Sequence, residues 1–500
     1  MKHRSHRQEP PFSEIDVKKA QGQYFTPDYV ARSLVSWARR TPHDRMLDPS
    51  CGDGRFLTLH RESVGVEQDS IAYSSALARA PHAAIYRDEF FSWARRNQER
   101  YDFAVGNPPF IRYQRFSGKM RRTALGLCRT LGVDFTALTS SWAPFLVATA
   151  NLLRPGGRLA FVVPAEIGHA PYARPLVKYL LRHFQFVQII AIRRKLFPDL
   201  SEDTWLLYAD EYSTNHIDCE LKFTDIECFK YSSLPPKEGQ TVSRREMEHW
   251  QTRLRAFLLP SHLRELYLEF ARSDKTFRLG QVAKIGIGYV TGANDFFHLR
   301  PSTARQLDIP DRLLQPTVRT SRNLPRLAVT RATVSSWLNR DEPTLLLRLD
   351  EESALPASVR RYLDSPEGQE ARKSYKCRNR NPWYSVPNVS IPQGFLSYMS
   401  SRQPSLVANR AKCTCTNSVH TIRMNPGERF TLLQRAWLTD LVELSCEIEG
   451  HPLGGGVLKL EPGEAARVLV PNFTPTSSSS LASIRDAVGL LRSWRHCGST

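Results

Sequence analysis

Met46–Leu57 reads MLDPSCGDGRFL: a short apolar run ending in Asp48, a turn carrying Gly52 and Gly54, and the start of a helical pattern. A strand that feeds a glycine-containing turn and then a helix is how an open α/β sheet presents a ligand loop. Glycine there lets backbone amides approach whatever binds at the helix N-terminus. Outward from this stretch, residues 21–212 alternate short β-branched runs with longer helical segments, the βαβ signature of a mainly parallel sheet. The predicted strands are Met46–Asp48, Val64–Glu67, Ala84–Asp88, Phe103–Gly106, Arg158–Val163, Gln188–Ile192 and Trp205–Ala209. Thr26 followed by Pro27 predicts a hydroxyl N-cap with proline at the first helical position, ahead of apolar Val30, Leu34, Val35 and Trp37. A second helix is predicted from about Ser141 to Leu153, stopped by Pro155, Gly156 and Gly157.

The spacing of acids around the loop narrows the ligand. Nineteen residues after Asp48, the second predicted strand ends in Glu67, where a carboxylate can accept from a ribose diol. The third ends at Asp88, which can accept from an exocyclic adenine amine. Asp48 and Asp53 flank the glycines, and carboxylates repel phosphates, so a dinucleotide fits poorly. A nucleoside without phosphates and with a cationic end fits better. S-adenosylmethionine, with its ammonium and sulfonium, is such a ligand.

The fourth predicted strand delivers YDFAVGNPPF, Tyr101–Phe110. An exocyclic aromatic amine is a poor nucleophile because its lone pair is delocalised into the ring. Two acceptors on its hydrogens favour the tetrahedral form that attacks. The Asn107 side-chain oxygen and the Pro108 carbonyl would supply them, held rigid by Pro108 and Pro109, while Phe110 offers a ring to a base taken out of the helix.

With these residues in place, the chain resembles the amino-methylating DNA methyltransferases of the gamma arrangement, in which cofactor motifs precede the catalytic motif and target recognition comes last. It is most similar to the Taq-type adenine-N6 enzymes. GQYFTPDYV, Gly22–Val30, looks like their N-terminal cofactor motif, DPSCGDGRFL the first motif, VGVEQD the second, RDEFF the third and NPPF the catalytic one. The resemblance implies an α/β, Rossmann-like S-adenosylmethionine-dependent methyltransferase sheet with a C-terminal mixed α+β target-recognition domain. It also implies a cofactor site of Tyr24, Thr26, Asp48, Ser50, Gly52, Gly54, Glu67, Asp88 and Asn107, with Thr26 at the methionine end. RRKLFPDLSEDTW resembles the later motif whose aromatic, Phe197, packs on the flipped adenine opposite Phe110.

The whole chain has 500 residues, with 69 Lys and Arg against 50 Asp and Glu, a net charge of +19 that makes a polyanion the expected partner. Its longest apolar runs, such as Phe186–Ile192 and Leu159–Pro164, are far short of the roughly 20 residues that span a bilayer. No membrane segment is expected, and the basic start MKHRSHRQEPPF lacks the apolar core of a signal peptide. The protein is expected to be cytoplasmic and monomeric, acting on double-stranded DNA beside a separately encoded restriction endonuclease. Nine cysteines without repeated CxxC spacing predict neither a disulfide framework nor a zinc site, and Cys413 and Cys415 read as ordinary residues on one strand face. No metal is expected.

Four regions follow: an N-terminal arm (1–20), a catalytic domain (21–240) closed by the linker-like YSSLPPKEGQTVSRRE, a recognition domain (241–475), and a peripheral serine-led tail (476–500). In the recognition domain, KSYKCRNRNPWYSVP concentrates Lys373, Lys376, Arg378, Arg380, Trp383 and Tyr384, a basic and aromatic cluster expected to contact phosphates and stack on bases. Enzymes that methylate ribosomal guanine or a protein glutamine share an NPP-aromatic loop, but the large basic C-terminal half points to DNA. Cytosine N4 stays open as the alternative acceptor, and a recognition subunit without turnover as the alternative class. A PD…ExK spacing at Pro198, Asp199, Glu220 and Lys222 falls on the last core strands and does not read as a nuclease. No cysteine follows a proline, which excludes a C5-cytosine nucleophile.

Overall fold

The computed structural model describes residues 26–198, 200, 202–215, 219–349, 355–453, 455–472 and 478–496. The chain forms two compact units divided between Leu258 and Leu259. In the first, the order is α1 (Asp28–Ala38), β1 (Met46–Asp48), β2 (Ser63–Glu67), α2 (Ser70–Arg79), β3 (Ala84–Arg87), α3 (Phe90–Arg96), β4 (Tyr101–Gly106), α4 (Gly118–Thr130), α5 (Trp142–Ala150), β5 (Leu153–Pro164), α6 (Arg174–His183), β6 (Phe184–Ile192), β7 (Thr204–Tyr212), β8 (Glu220–Ile226), β9 (Gln240–Val242) and α7 (Arg244–His249).

The nine strands form one sheet in the order β3-β2-β1-β4-β5-β7-β6-β8-β9. The pairs from β3 to β5 are parallel, and β7 runs antiparallel to both β5 and β6. The α/β expectation holds. β1, β2 and most of β4 and β5 are buried, which is why they read as apolar runs rather than as alternating ones. On one face, Val30, Leu34 and Trp37 of α1 pack with Met46, Phe103, Val105, Ala160 and Val162.

Several boundaries differ from expectation. The first helix starts at Asp28 with Pro27 at its N-cap and no side-chain cap, so Thr26 does not cap it. The loop after Gly54 continues into turns and a single 3-10 turn, Leu57–Leu59, because only a few residues separate the glycines from β2. α5 stops at Ala150, and Pro155–Gly157 lie inside β5 at a register shift against β4, where Gly156 takes a φ of +79°. The predicted domain limit at 240 falls inside the sheet: Gln240–Val242 pairs with β8, and the first unit runs on to Leu258.

The second unit is mixed α+β. Its five-stranded sheet orders Ala283–Ile287, Val419–Met424, Gly394–Ser397, Leu406–Asn409 and Ala328–Val329, and smaller sheets flank it. Leu433, Trp437, Val442 and Cys446, from the helices Phe430–Trp437 and Asp440–Glu449, build one core with Leu396, Leu406 and Ile422. The serine-led tail is not peripheral. Its helix, Ser478–Ser493, packs on Asp440–Glu449, and Arg495 just beyond is 1% exposed, with Nε donating to Glu447 Oε2 at 3.0 Å. Gly286, Gly288 and Gly292 serve internal packing: a Cβ on Gly288 would lie 2.2 Å from the Cys415 carbonyl oxygen, and one on Gly292 2.6 Å from Lys376 Cβ. Cys413 and Cys415 are both buried in one apolar cluster, and no group of His, Cys, Asp and Glu among the described residues could hold a metal. No described helix is long and apolar enough to cross a membrane.

Candidate active site

The strand order reverses between β1 and β4, and open α/β sheets bind ligands at the carboxyl ends of strands at such a point. β1 leads to Asp48 and Ser50, and β4 to Asn107. The Ser50 hydroxyl donates to the Asn107 carbonyl at 3.3 Å, so one hydrogen bond joins the predicted cofactor loop to the predicted catalytic loop. A cleft of ≈ 880 Å³, open mouth included, is lined there by Ser50, Gly52, Glu67, Asp88, Asn107 and Pro109, with Phe90, Ile111, Met120 and Phe145 among its apolar walls.

Glu67 and Asp88 are each followed by a second acid with a different task. Asp69 accepts from the amides of Ile71 (3.1 Å) and Ala72 (2.9 Å) and caps α2; Glu89 accepts from Phe91 and Ser92, both at 2.9 Å, and caps α3. The capping acids leave Glu67 and Asp88 on the cleft wall. Glu67 accepts from Gly52 N at 3.0 Å and Asp69 N at 2.7 Å, and Asp88 pairs with Arg96. Asp48 is fully buried behind this lining. Its Oδ1 accepts from Ser50 N at 3.2 Å, and its Oδ2 has no hydrogen-bond partner among the described residues.

Burial pushes the Asp48 carboxyl up to about 8, against the Ser50 amide and with the charges of Glu67 and Asp53 adding to the rise. Burial also raises Glu67, opposed by the amides of Asp69 and Gly52. Carboxylates that hold their charge so reluctantly are complementary to a cation. These acceptors therefore fit a nucleoside with a positive end, as S-adenosylmethionine has. Asp53 is spoken for: Arg55 meets it at 3.3 Å and Arg79 pairs with it. Arg55 also donates to the buried Thr26 carbonyl at 2.9 Å and ties that segment to the loop. Tyr24 lies outside the described residues.

The two loop glycines separate. Gly52, at φ +52°, lines the cleft, whereas Gly54, at φ +80°, packs against α2, where a Cβ would come within 2.9 Å of Ala76 Cα. In the catalytic loop Pro108 is buried and Pro109 lines the cleft. Ser141, 1% exposed, holds the loop. Its hydroxyl donates to the Pro109 carbonyl at 2.5 Å and accepts from Ile111 N at 3.0 Å, and its amide donates to the Ile111 carbonyl at 2.9 Å. Phe110 and Phe197 meet in one apolar cluster with Leu196 and Leu200, Phe197 only 7% exposed.

Comparison with known proteins decides the family. Residues 251–495 match the family model of the Type II methyltransferase M.Eco57I C-terminal domain, 62–197 that of the Eco57I restriction-modification methylase, and 13–76 that of the N-6 DNA methylase. Together these matches support the N6-adenine-type DNA methyltransferase family for this chain. It is 22% identical over 474 residues to the Type II methyltransferase M.AccI of Acinetobacter calcoaceticus, covering 90% of this chain and 85% of that one. It is 31% identical over 158 residues to M.TthHB8I of Thermus thermophilus, covering 29% of this chain and 35% of the relative. The fold is shared with the Type IIL restriction-modification enzyme MmeI, solved in complex with DNA, at a TM-score of 0.53 and 12% identity over 94% of this chain and 72% of the other. The reaction class is S-adenosylmethionine-dependent DNA methylation.

In the methyltransferase's second unit, the basic and aromatic cluster splits in two. Lys373, Lys376 and Arg378 are exposed, Lys373 beside Glu370 and Arg378 over the Tyr375 ring at 5.4 Å. Arg380 instead donates to the carbonyls of Thr291 (2.7 Å) and Val290 (2.6 Å), and Trp383 and Tyr384 pack against the core around Phe296 and Phe297. Sequence reasoning missed Ser141, Arg55 and the apolar walls. Phe90 could have been found, because it directly follows the acids of RDEFF; Ser141, one of two adjacent serines ahead of an apolar helix, carries no pattern that points to the catalytic loop.

Proposed function

We propose that this methyltransferase modifies N6 of an adenine flipped out of double-stranded DNA, as the modification enzyme of a restriction-modification system with a separately encoded endonuclease. The observation that carries the reading is the meeting of the Ser50 and Asn107 loops at the point where the strand order reverses. There, an amine held at Asn107 faces the cleft bounded by Glu67 and Asp88. The similarity to Type II methyltransferases over most of the chain supports the biological setting.

Thr26, Asp48, Ser50, Glu67 and Asp88 would hold S-adenosylmethionine. When bound, it supplies an electrophilic methyl group on a sulfonium. Asn107 Oδ1 and the Pro108 carbonyl oxygen accept the two amine hydrogens and localise the nitrogen lone pair for attack. Both prolines fix their φ and lack an N–H, so this stretch offers acceptors and no competing donors. Phe110 and Phe197 leave their shared cluster to sandwich the base. The second unit reads the target, with Lys373, Lys376 and Arg378 on phosphates.

Incubation with tritiated S-adenosylmethionine and unmethylated DNA tests the reading. Wild-type protein should label the DNA. Asn107→Ala should lower transfer by about 10³-fold while cofactor affinity stays within a factor of about two. Retained transfer in that variant would refute the role given to Asn107.

A further inference from the structure

We infer that Ser141 is a positioning residue for methyl transfer, acting through the catalytic loop. The inference rests on the proposed reaction and adds a residue that no catalytic motif contains. The Pro108 carbonyl can hold an amine hydrogen only if the backbone around it keeps one orientation. Pro108 and Pro109 donate no backbone hydrogen bonds, so the loop must be fixed from outside. Behind it, the Ser50 hydroxyl reaches the Asn107 carbonyl at 3.3 Å. Ahead of it, Ser141 makes the three bonds to Pro109 and Ile111 described above, at 2.5, 3.0 and 2.9 Å.

A hydroxyl suits this place because it donates and accepts at once. Its donor serves the Pro109 carbonyl and its lone pair serves the Ile111 amide. The Pro108 carbonyl thus lies between two tethered neighbours. Ser141 is also the N-cap of α5, a position where serine normally bonds an amide of its own helix. No such capping bond forms, and the hydroxyl is turned onto the catalytic loop instead. The helix that follows is buried along its whole length, from Trp142 to Ala150, and so gives the clamp a rigid base.

Ser141→Ala removes both hydroxyl bonds and keeps the amide bond, while Ser141→Thr restores a hydroxyl on the same backbone. Single-turnover transfer from tritiated S-adenosylmethionine to unmethylated DNA, together with the cofactor Kd by titration calorimetry, separates positioning from binding and from folding. Ser141→Ala should slow the single-turnover step about 10- to 100-fold, the range expected for a loop displaced by a fraction of an ångström. Its cofactor Kd should stay within about twofold and its melting curve should remain cooperative; Ser141→Thr should recover most of the rate. A wild-type rate in Ser141→Ala overturns the inference, as does a loss of rate matched by an equal loss of cofactor binding. So does Ser141→Thr failing as completely as Ser141→Ala. If the wild-type protein binds cofactor and labels no DNA, the proposed reaction itself fails and takes this inference with it.

Discussion

Asp48 is a buried acid just behind the wall of the cleft. Its carboxyl is buried, has one oxygen without a hydrogen-bond partner among the described residues, and titrates at about 8 instead of near 4. Because the folded value lies above the unfolded one, the native state holds an extra proton between the two. Stability of the cofactor-free protein therefore falls as pH rises from about 4 to 8 through this group, and levels off above. A cationic ligand reverses the preference by favouring the ionised carboxylate. Cofactor affinity should strengthen as pH rises from 6.5 to 8 and flatten beyond, and Asp48→Asn should weaken binding and abolish that slope. Titration calorimetry at three pH values checks this; an identical slope in the variant would remove Asp48 from the site. The residues legible in the sequence were those fixed by spacing, Glu67, Asp88 and Asn107 at strand ends. Ser141 and Arg55 act through contacts that cross more than 25 residues, which no local pattern records.

Among the elements, strands were easier to read than the ends of helices. Each of the seven predicted strands overlaps an observed one; burial on both faces leaves a continuous apolar run in the inner strands, whereas the edge strand Ala84–Arg87 is largely exposed. Helix ends depend on caps, and the capping was misread at Thr26, which does not cap the helix that follows; Ser141, ahead of an apolar run, likewise makes no capping bond. The segment Lys373–Tyr384 divides along the same line between local pattern and tertiary contact. Its helix Tyr375–Arg378 exposes Lys376 and Arg378, whereas Arg380 is turned inward onto two carbonyls. Neutralising Lys373, Lys376 and Arg378 together should flatten the salt dependence of DNA binding by about two to three units of log–log slope. Arg380→Ala should leave that slope unchanged and lower the melting temperature instead. Fluorescence anisotropy across a salt series distinguishes the two; an unchanged slope in the triple variant would take these cations out of the interface.

At the scale of the whole molecule, the division into two units was legible and its position was not. The turn-rich stretch near 240 reads as a linker, yet β9 within it completes the sheet edge. The C-terminal tail reads as peripheral from its serines, yet Arg495 within it is buried against Glu447. Breaking that pair with Arg495→Ala should lower the stability of the second unit by about 3–5 kcal/mol, because it removes the buried ion pair together with the bonds of Arg495 to the Gly456 and Ser401 carbonyls and leaves Glu447 to Arg492 at 3.4 Å. Arg495→Met combined with Glu447→Leu should recover much of the loss. Denaturant melts check both, and a neutral Arg495→Ala would contradict the structural role of the tail. The net charge of +19 first indicates only a polyanion; the fold places Glu67 and Asp88 on a cleft wall with Asp48 buried behind it, and leaves Lys373, Lys376 and Arg378 exposed. Mass spectrometry of nucleosides from unmethylated DNA incubated with the protein and S-adenosylmethionine should show N6-methyladenine and no N4-methylcytosine. N4-methylcytosine in its place, or no methylated base at all, would contradict the account.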